Sequence, residues 1–207
     1  MLARNEDVMA EAKRLGDNAL GVKVDITRQE SIDTGLARII DQWGSIDILV
    51  NNAGLHKGGL IGSLPFEDWQ SVLDTNLSGP FRMIKSALPH INRGGSIVNI
   101  GAVVGGMGFA GDAPYGASKN GLKGLTRVLA VELARQAIRV NLVIPGFVMT
   151  EMTGAISDRA REKIIEKIPL ARTGEPEEIA EVICWVARAR YMTGAVVPVD
   201  GGLSCML

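Results

Sequence analysis

The sequence of 207 residues has the length of one ordinary globular domain. Its 22 lysine and arginine residues balance 23 aspartate and glutamate residues, which gives a formal net charge of −1. A charge this close to zero argues against nucleic-acid or anionic-membrane binding, because both need a basic surface. The composition, 46% hydrophobic and 22% charged, excludes an intrinsically disordered chain.

The sequence contains no pattern typical of a membrane span, a signal peptide, a disulfide framework or a metal site, which further limits the class of protein. No stretch approaches about eighteen uncharged apolar residues, so we expect no membrane span. The N-terminal residues reach charge at once and lack the apolar core of a signal peptide. We expect Cys184 and Cys205 to be free thiols in a reducing cytoplasm. Two histidines and two dispersed cysteines lack ligand spacing, which predicts no metal site.

Helix-like and strand-like segments alternate along the chain. The first helix is predicted over 6–15, and a strand follows over 20–25. Thr27 and Glu30 have the spacing of a capping box for a helix that ends at Gly44. The remaining pattern predicts strands over 46–50, 96–100, 138–144 and 195–199, and helices over 66–91, over 113–134 and from 174 onward.

This alternation predicts a single doubly wound α/β domain over residues 1–207, Rossmann-like, with a parallel sheet covered by helices on both faces. In open parallel sheets, ligands bind beyond the carboxyl ends of the strands. The segments that follow the predicted strands are small, polar or glycine-bearing, and they therefore predict the binding crevice: 25–27, 51–54, 101–105 and 145–150.

Tyr115 and Lys119 are the first candidates for catalysis. Their spacing of four residues places a phenol and an ammonium on one face of a helix. A nearby cation stabilises the phenolate, so we expect Lys119 to lower the pKa of Tyr115 and make it a usable general acid. Alone, the pattern also fits a half-buried tyrosine beside a solvated lysine.

The neighbouring motifs add specificity. Along the chain they are, in order, Asp25-Ile26, Asn51-Asn52-Ala53-Gly54, Asp74-Thr75-Asn76, Tyr115-x-x-x-Lys119, Pro145-Gly146-Phe147, Thr150-Glu151-Met152-Thr153, Tyr191-Met192-Thr193-Gly194 and Asp200-Gly201-Gly202. With these motifs, and across essentially all 207 residues, the sequence resembles the short-chain dehydrogenase/reductase family, in the group of 3-oxoacyl-[acyl-carrier-protein] reductases.

The resemblance implies the catalytic roles. Tyr115 would give a proton to the substrate carbonyl oxygen as hydride arrives from a nicotinamide. Lys119 would hold the nicotinamide ribose, and Asn76 would anchor a water that links Lys119 to solvent.

The resemblance also implies a dinucleotide site. Asp25 and Ile26 would meet the adenine, and Asn51, Ala53 and Gly54 would lie beside the adenosine ribose. Four residues after the predicted strand 138–144 would flank the carboxamide: Pro145, Gly146, Val148 and Thr150. Arg4 stands after Ala3, where NAD-preferring relatives carry an acid, which favours NADPH over NADH; a solvated arginine is the alternative.

Position 102 departs from the family pattern. The family's catalytic serine lies thirteen residues before the tyrosine, and Ala102 stands there. Loss of one such hydrogen-bond donor typically costs about 10²–10³ in rate. Ala102 therefore predicts a weakened enzyme, through an engineered substitution, which we favour, or a natural loss.

The first residues and a stretch near the end of the chain also depart from the family pattern. The family opens with a strand, a glycine-rich turn and a helix that seat the pyrophosphate, and Met1–Arg4 resembles the end of the second strand. We therefore expect most of an opening βαβ unit to be missing from these residues, weak cofactor binding, and exposure of part of the sheet interior. The stretch 185–191 is also about two residues shorter than in the family.

Gly106, Gly108 and Gly111 match G-x-G-x-x-G literally. The match does not join a strand directly to a helix, so we interpret it as the wall of a substrate loop rather than a dinucleotide motif.

Taken together, the resemblance implies an NADPH-dependent reductase of 3-oxoacyl thioesters on acyl carrier protein or CoA, in fatty acid biosynthesis, assembled as a homotetramer. Two alternatives stay open: a reductase of a steroid, sugar or small ketone, and a non-catalytic cofactor-binding subunit.

Overall fold

The computed structural model describes residues 1–154 and 157–205. The strands are β1 (Leu2–Ala3), β2 (Val22–Lys23), β3 (Ile46–Asn51), β4 (Ile91–Ile100), β5 (Arg139–Pro145) and β6 (Val196–Val199). The helices are α1 (Asp7–Leu15), α2 (Gln29–Trp43), α3 (Phe66–Leu73), α4 (Gly79–Ala87), α5 (Val104–Met107), α6 (Ala113–Glu132), α7 (Glu151–Gly154), α8 (Asp158–Ile165) and α9 (Pro176–Arg188). A π-helical turn (Asp74–Ser78) joins α3 to α4. Short 3₁₀ turns lie at Leu88–His90, Ala134–Gln136 and Leu203–Cys205.

The strand pairing confirms the predicted parallel α/β fold. Within the described ranges, every strand pair is parallel, with β1 beside β2 and a second sheet in the order β3-β4-β5-β6. Ile48 and Val50 on the edge strand β3 are 46% and 40% exposed.

Alternation along β4 explains why helices cover both faces of the larger sheet. Ile97 points into a core that contains Met83 and Ile84 of α4. Val98 packs on the opposite face, in a core with Val186 of α9. Successive strand residues face opposite sides of a sheet, so a continuous apolar strand needs cover on both sides.

The predicted capping box at Thr27 and Glu30 is wrong. Helix α2 begins at Gln29, and Arg28 precedes it without a side-chain cap. The Thr27 hydroxyl and amide donate instead to Asp25 Oδ1, at 2.7 and 2.9 Å. The Thr27 hydroxyl is therefore bonded within an Asx-type turn at Asp25 and does not cap α2. The strand predicted over 20–25 is correspondingly shortened to β2.

Two properties of the described residues bear on the predicted class. Among their helices, none is long and apolar enough to cross a membrane. Cys184 and Cys205 are both free and exposed.

Candidate active site

Tyr115 and Lys119 lie one turn apart on α6, as the spacing predicts. Lys119 is only 5% exposed, and its Nζ donates a 2.8 Å hydrogen bond to the carbonyl of Ile100, the last residue of β4. The same Nζ lies 5.7 Å from the centre of the Tyr115 ring. The phenol and the ammonium therefore meet at the carboxyl end of a central strand.

The pKa values of this pair follow from burial. Desolvation lowers the pKa of Lys119 to about 8. Desolvation also raises the pKa of Tyr115, and the negative charge of Asp112 raises it further. The expectation that Lys119 lowers the pKa of Tyr115 is thus wrong in direction. The net shift is upward because burial disfavours the phenolate and the charge of Asp112 repels it.

Asn76 is fully buried in the π-helical turn between α3 and α4. Its Oδ1 accepts a hydrogen bond from the Leu55 amide at 2.7 Å, and its Nδ2 donates to the Leu55 carbonyl at 2.8 Å. The Nδ2 also lies 3.2 Å from Ser118 Oγ, on α6 between Tyr115 and Lys119. Asn76 therefore ties the loop after β3 to the helix that carries the tyrosine. No pattern in the sequence predicts the π-helical turn that places it.

Gly54 lies close to the polar ends of Lys119 and Asn76, and its lack of a side chain leaves space beside them. A Cβ added there would lie 3.6 Å from Lys119 Nζ and 3.7 Å from Asn76 Oδ1. Ala53 and Gly54 are exposed, so their backbone is open to a ligand beside the ammonium. The structure thus brings Tyr115, Lys119, Asn76 and Gly54 together.

Asn51 heads a buried polar chain that sequence reasoning missed in part. Its Nδ2 donates to Asn99 Oδ1 on β4 at 2.8 Å, and Asn99 Nδ2 donates to Thr126 Oγ1 on α6 at 2.9 Å. Asn99 and Thr126 are both fully buried. An asparagine inside the apolar run 96–100 is the signal that could have predicted this partner, because buried amides need hydrogen bonds.

Ala102 lies in the turn that follows β4. Its carbonyl accepts a hydrogen bond from the Gly105 amide at 3.1 Å, while its side chain is a methyl group without a donor. Helix α5, which begins two residues after Ala102, packs closely on α6, since a Cβ added at Gly105 would lie 2.9 Å from the Asn120 amide. The position predicted for the family's serine is therefore next to the helix of Tyr115.

The residues predicted to flank a carboxamide follow β5. Pro145 ends the strand, and a Cβ at Gly146 would lie 2.6 Å from Asp200 Cα, so only glycine fits there. Val148 is buried and pairs with Gly174. Thr150 is exposed, and its amide donates to Thr153 Oγ1 at 2.9 Å.

Asp25 and Ile26, predicted to meet the adenine, follow β2 of the two-stranded sheet, and Arg4 follows β1. Hydrogen bonds from Thr27 are the main cause that lowers the pKa of the Asp25 carboxyl. The positive charge of Arg4, which is exposed, lowers that pKa further. The side chain of Ile26 packs against Gly79 and the core of α4, since a Cβ at Gly79 would lie 2.8 Å from Ile26 Cδ1. The Ile26 side chain therefore packs against α4 while it stays partly exposed.

The glycine-rich loop 106–111 borders an open groove of about 460 Å³. Gly108 and Gly111 adopt positive φ angles of 73° and 92°, and the loop leaves α5 rather than a strand. Phe109 and Asp112 line the groove together with Gly116 of α6. The α6 residues that line the groove, such as Gly116 and Asn120, lie on a different face of the helix from Tyr115. The interpretation as the wall of a substrate loop therefore stays a prediction.

Comparison with known proteins places the chain in a family. The profile of a family described as enoyl-(acyl carrier protein) reductase matches residues 2–204. The 3-oxoacyl-[acyl-carrier-protein] reductase FabG of Vibrio cholerae is 42% identical over 193 residues, which cover 91% of this chain and 79% of that protein. The protein of the same name from Thermotoga maritima is 40% identical over 202 residues, which cover 96% and 82%.

Solved structures agree with the sequence matches. A mutant short-chain dehydrogenase/reductase of Serratia marcescens superposes with a TM-score of 0.91 at 33% identity, covering 98% of this chain and 85% of that one. A blue fluorescent protein from a metagenomic library, in complex with NADPH, gives a TM-score of 0.87 at 33% identity, covering 94% and 80%. The chain therefore belongs to the short-chain dehydrogenase/reductase family of oxidoreductases.

Proposed function

We propose that the protein reduces a 3-oxoacyl thioester, carried on acyl carrier protein or CoA, to the 3-hydroxyacyl form with NADPH. The observation that carries the proposal is the Tyr115–Lys119–Asn76 cluster at the carboxyl end of β4. The names of the relatives support the substrate class, since the two proteins from Vibrio cholerae and Thermotoga maritima are both named 3-oxoacyl-[acyl-carrier-protein] reductases.

The residues around Lys119 fit the nicotinamide half of a dinucleotide. Within the described contacts, Nζ donates one hydrogen bond, to Ile100, so further N–H groups of the ammonium can hold ribose hydroxyls. A Cβ at Gly54 would lie 3.6 Å from Nζ. We therefore assign the exposed backbone of Ala53 and Gly54 to the nicotinamide half, instead of the adenosine ribose expected from the family resemblance. When bound there, NADPH supplies the hydride.

Other segments would hold the rest of the dinucleotide. Pro145, Gly146, Val148 and Thr150 follow β5 and would flank the carboxamide. Asp25, Ile26 and Asn51 would contact the adenosine. Arg4 favours a 2′-phosphate, because its exposed guanidinium stands near Asp25 without a competing acid at position 3. The complex of a related protein with NADPH supports this cofactor.

Tyr115 would act as the general acid. Its raised pKa keeps the phenol protonated at neutral pH, so it can donate a proton to the carbonyl oxygen as negative charge develops there. The Lys119 ammonium, held by Ile100, stabilises the phenolate that remains. The Asn76 side chain is engaged with Leu55 and Ser118, so its predicted water would use the remaining lone pair of Oδ1.

Ala102 would weaken this reaction. A serine hydroxyl at this position would give the carbonyl oxygen a second donor, and the methyl group cannot. The same observation favours one other candidate function, a cofactor-binding subunit without turnover. Reduction of a different ketone is the remaining alternative.

The test measures NADPH oxidation with an acetoacetyl thioester in three proteins: the unaltered chain, Ala102→Ser and Tyr115→Phe. We expect Ala102→Ser to raise the rate at least about tenfold and Tyr115→Phe to lower it by about 10²–10⁴. NADPH affinity should be nearly unchanged in both. Turnover that persists in Tyr115→Phe would show that another group is the acid, and NADPH binding without turnover in all three would favour the non-catalytic subunit. The homotetramer and the cytoplasmic location stay predictions.

A further inference from the structure

His56 and Asp112 form a pair beside Tyr115 that the proposed mechanism does not use. His56 Nε2 lies 2.9 Å from Asp112 Oδ1, in the arrangement of an N–H that donates to a carboxylate. The imidazole also meets the Tyr115 ring edge to face, with ring centres 5.0 Å apart and an interplanar angle of 78°. One imidazole therefore contacts both the acidic neighbour and the phenol.

The position of Asp112 makes this bond informative. Asp112 immediately precedes α6, where an aspartate commonly caps the helix by accepting backbone N–H bonds. Within the described residues its carboxylate accepts no capping bond from α6 and binds His56 instead. His56, in the loop after β3, thus binds a carboxylate that would otherwise be available to cap α6.

Close backbone packing holds the two loops in this register. The Gly59 amide donates to the Gly111 carbonyl at 2.8 Å. A Cβ added at Gly58 would lie 2.9 Å from that carbonyl and 3.3 Å from Asp112 Oδ1. The absence of a side chain at Gly58 therefore lets the His56 loop lie against the segment before α6.

We propose that His56 and Asp112 are a positioning pair for Tyr115: the carboxylate fixes the imidazole, and the imidazole fixes the phenol ring and partly neutralises the carboxylate next to it. The groups of the described chain that face Tyr115 are His56 from the loop after β3, Asp112 before α6, and Lys119 on α6. Asp112 is the one anion of the three, and its charge raises the pKa of the phenol. A hydrogen bond donated by His56 reduces that effect, because it withdraws charge from the carboxylate.

This inference rests on the proposed role of Tyr115 as the acid. With alanine at position 102, Tyr115 would be the main donor to the substrate oxygen, so its orientation and acidity would decide the rate. The sequence alone could not predict the pair, since 56 residues separate its members along the chain.

The experiment titrates Tyr115 directly. The chain has two tyrosines, and the other, Tyr191, is fully exposed. In a Tyr191→Phe background, the ultraviolet absorbance of tyrosinate reports Tyr115 alone and needs neither cofactor nor substrate. The variants compared in that background are His56→Phe, which keeps a ring against the phenol, Asp112→Asn, which keeps a hydrogen-bond acceptor, and the double variant.

We expect Asp112→Asn to lower the titration midpoint by about 0.5 pH unit or more, because the anion is removed. His56→Phe should raise the midpoint, because the carboxylate loses its donor, and the double variant should follow Asp112→Asn. In the reductase assay, His56→Phe should lower kcat while leaving the KM for NADPH unchanged.

Midpoints that stay equal in all four proteins, or that move in the same direction in both single variants, would overturn the pair. Circular dichroism confirms that each variant is folded, and Lys57→Ala, in the same loop, is the matched control that should leave the midpoint unchanged. The titration distinguishes failure of the pair from failure of the proposed function, because it needs no turnover: a shifted midpoint in an inactive protein would support the pair and contradict the reductase.

Discussion

The two halves of the candidate active site differ in how far the protein itself holds them. In the buried half, Lys119, Asn76 and Asn51 are at most 8% exposed, and each makes a side-chain hydrogen bond. In the open half, Arg4, Ala53 and Thr150 are exposed, and the Thr150 amide bonds to Thr153, three residues along the chain. Lys119 and Asn76 are thus held by hydrogen bonds within the protein, whereas Arg4, Ala53 and Thr150 remain accessible to a ligand.

This difference has a physical reason. A buried polar group costs free energy unless it is hydrogen-bonded, so the buried half must be satisfied within the protein. Surface groups are satisfied by water and can exchange it for a ligand. Substitutions in the buried half should therefore change both stability and activity, and substitutions in the open half should change binding alone.

The largest expected effect is that of Lys119→Met. Burial lowers the pKa of Lys119 from 10.5 to about 8, so between those values the unfolded chain binds more protons than the folded one. The free energy of unfolding of the unaltered protein should therefore rise with pH from about 8 to about 10. Above 10 the raised pKa of Tyr115 has the opposite effect, because the folded state then binds more protons.

The Lys119→Met variant should lack this rise and be more stable at pH 7, by up to about 3 kcal/mol, while losing at least about 100-fold in turnover. Urea unfolding at pH 7, 8, 9 and 10 measures the first effect, and the reductase assay measures the second. A variant whose stability rises with pH as steeply as the unaltered protein would contradict the assignment of the rise to Lys119.

Asn76→Ala should have the next largest effect. It would leave the Leu55 amide and carbonyl without their partner, and each unsatisfied group costs about 1–3 kcal/mol when water cannot replace it. We expect a loss of about 2–4 kcal/mol in the free energy of unfolding together with lower activity. The matched control is Asn92→Ala, since exposed Asn92 bonds to Ser45 and Asp47 and should change stability by about 0.5 kcal/mol or less. Equal losses in the two variants would show that burial is not what distinguishes Asn76.

Arg4→Ala should have the smallest effect on the fold. Arg4 is exposed, so we expect no measurable change in thermal stability and a rise of about tenfold in the KM for NADPH, with the KM for NADH unchanged. Arg28→Ala is the control, because its charge also lowers the pKa of Asp25. A comparable rise for NADH, or the same rise in Arg28→Ala, would remove Arg4 as the group that selects the 2′-phosphate.

The correction at Tyr115 illustrates the limit of sequence reasoning. Spacing correctly placed the phenol and the ammonium on one helical face, because helical geometry is local. The direction of the pKa shift depended on burial and on Asp112, and neither is encoded in a spacing of four. The capping box predicted at Thr27 is wrong for a similar reason, because the Thr27 hydroxyl donates to Asp25 instead of capping α2.

The sequence by itself determined the order of strands and helices, the parallel α/β class and the placement of Tyr115 and Lys119 on one helical face, because periodicity and spacing are properties of neighbouring residues. The resemblance to the family, and not spacing, pointed to Asn76 and Ala102. Tertiary structure alone decided that Asn76 reaches Leu55 and Ser118, that Asn51 joins Asn99 and Thr126, and that His56 meets Asp112. Those contacts join residues that are 21 to 56 positions apart. They arise because buried polar groups must find partners wherever the folded chain brings one within hydrogen-bond distance.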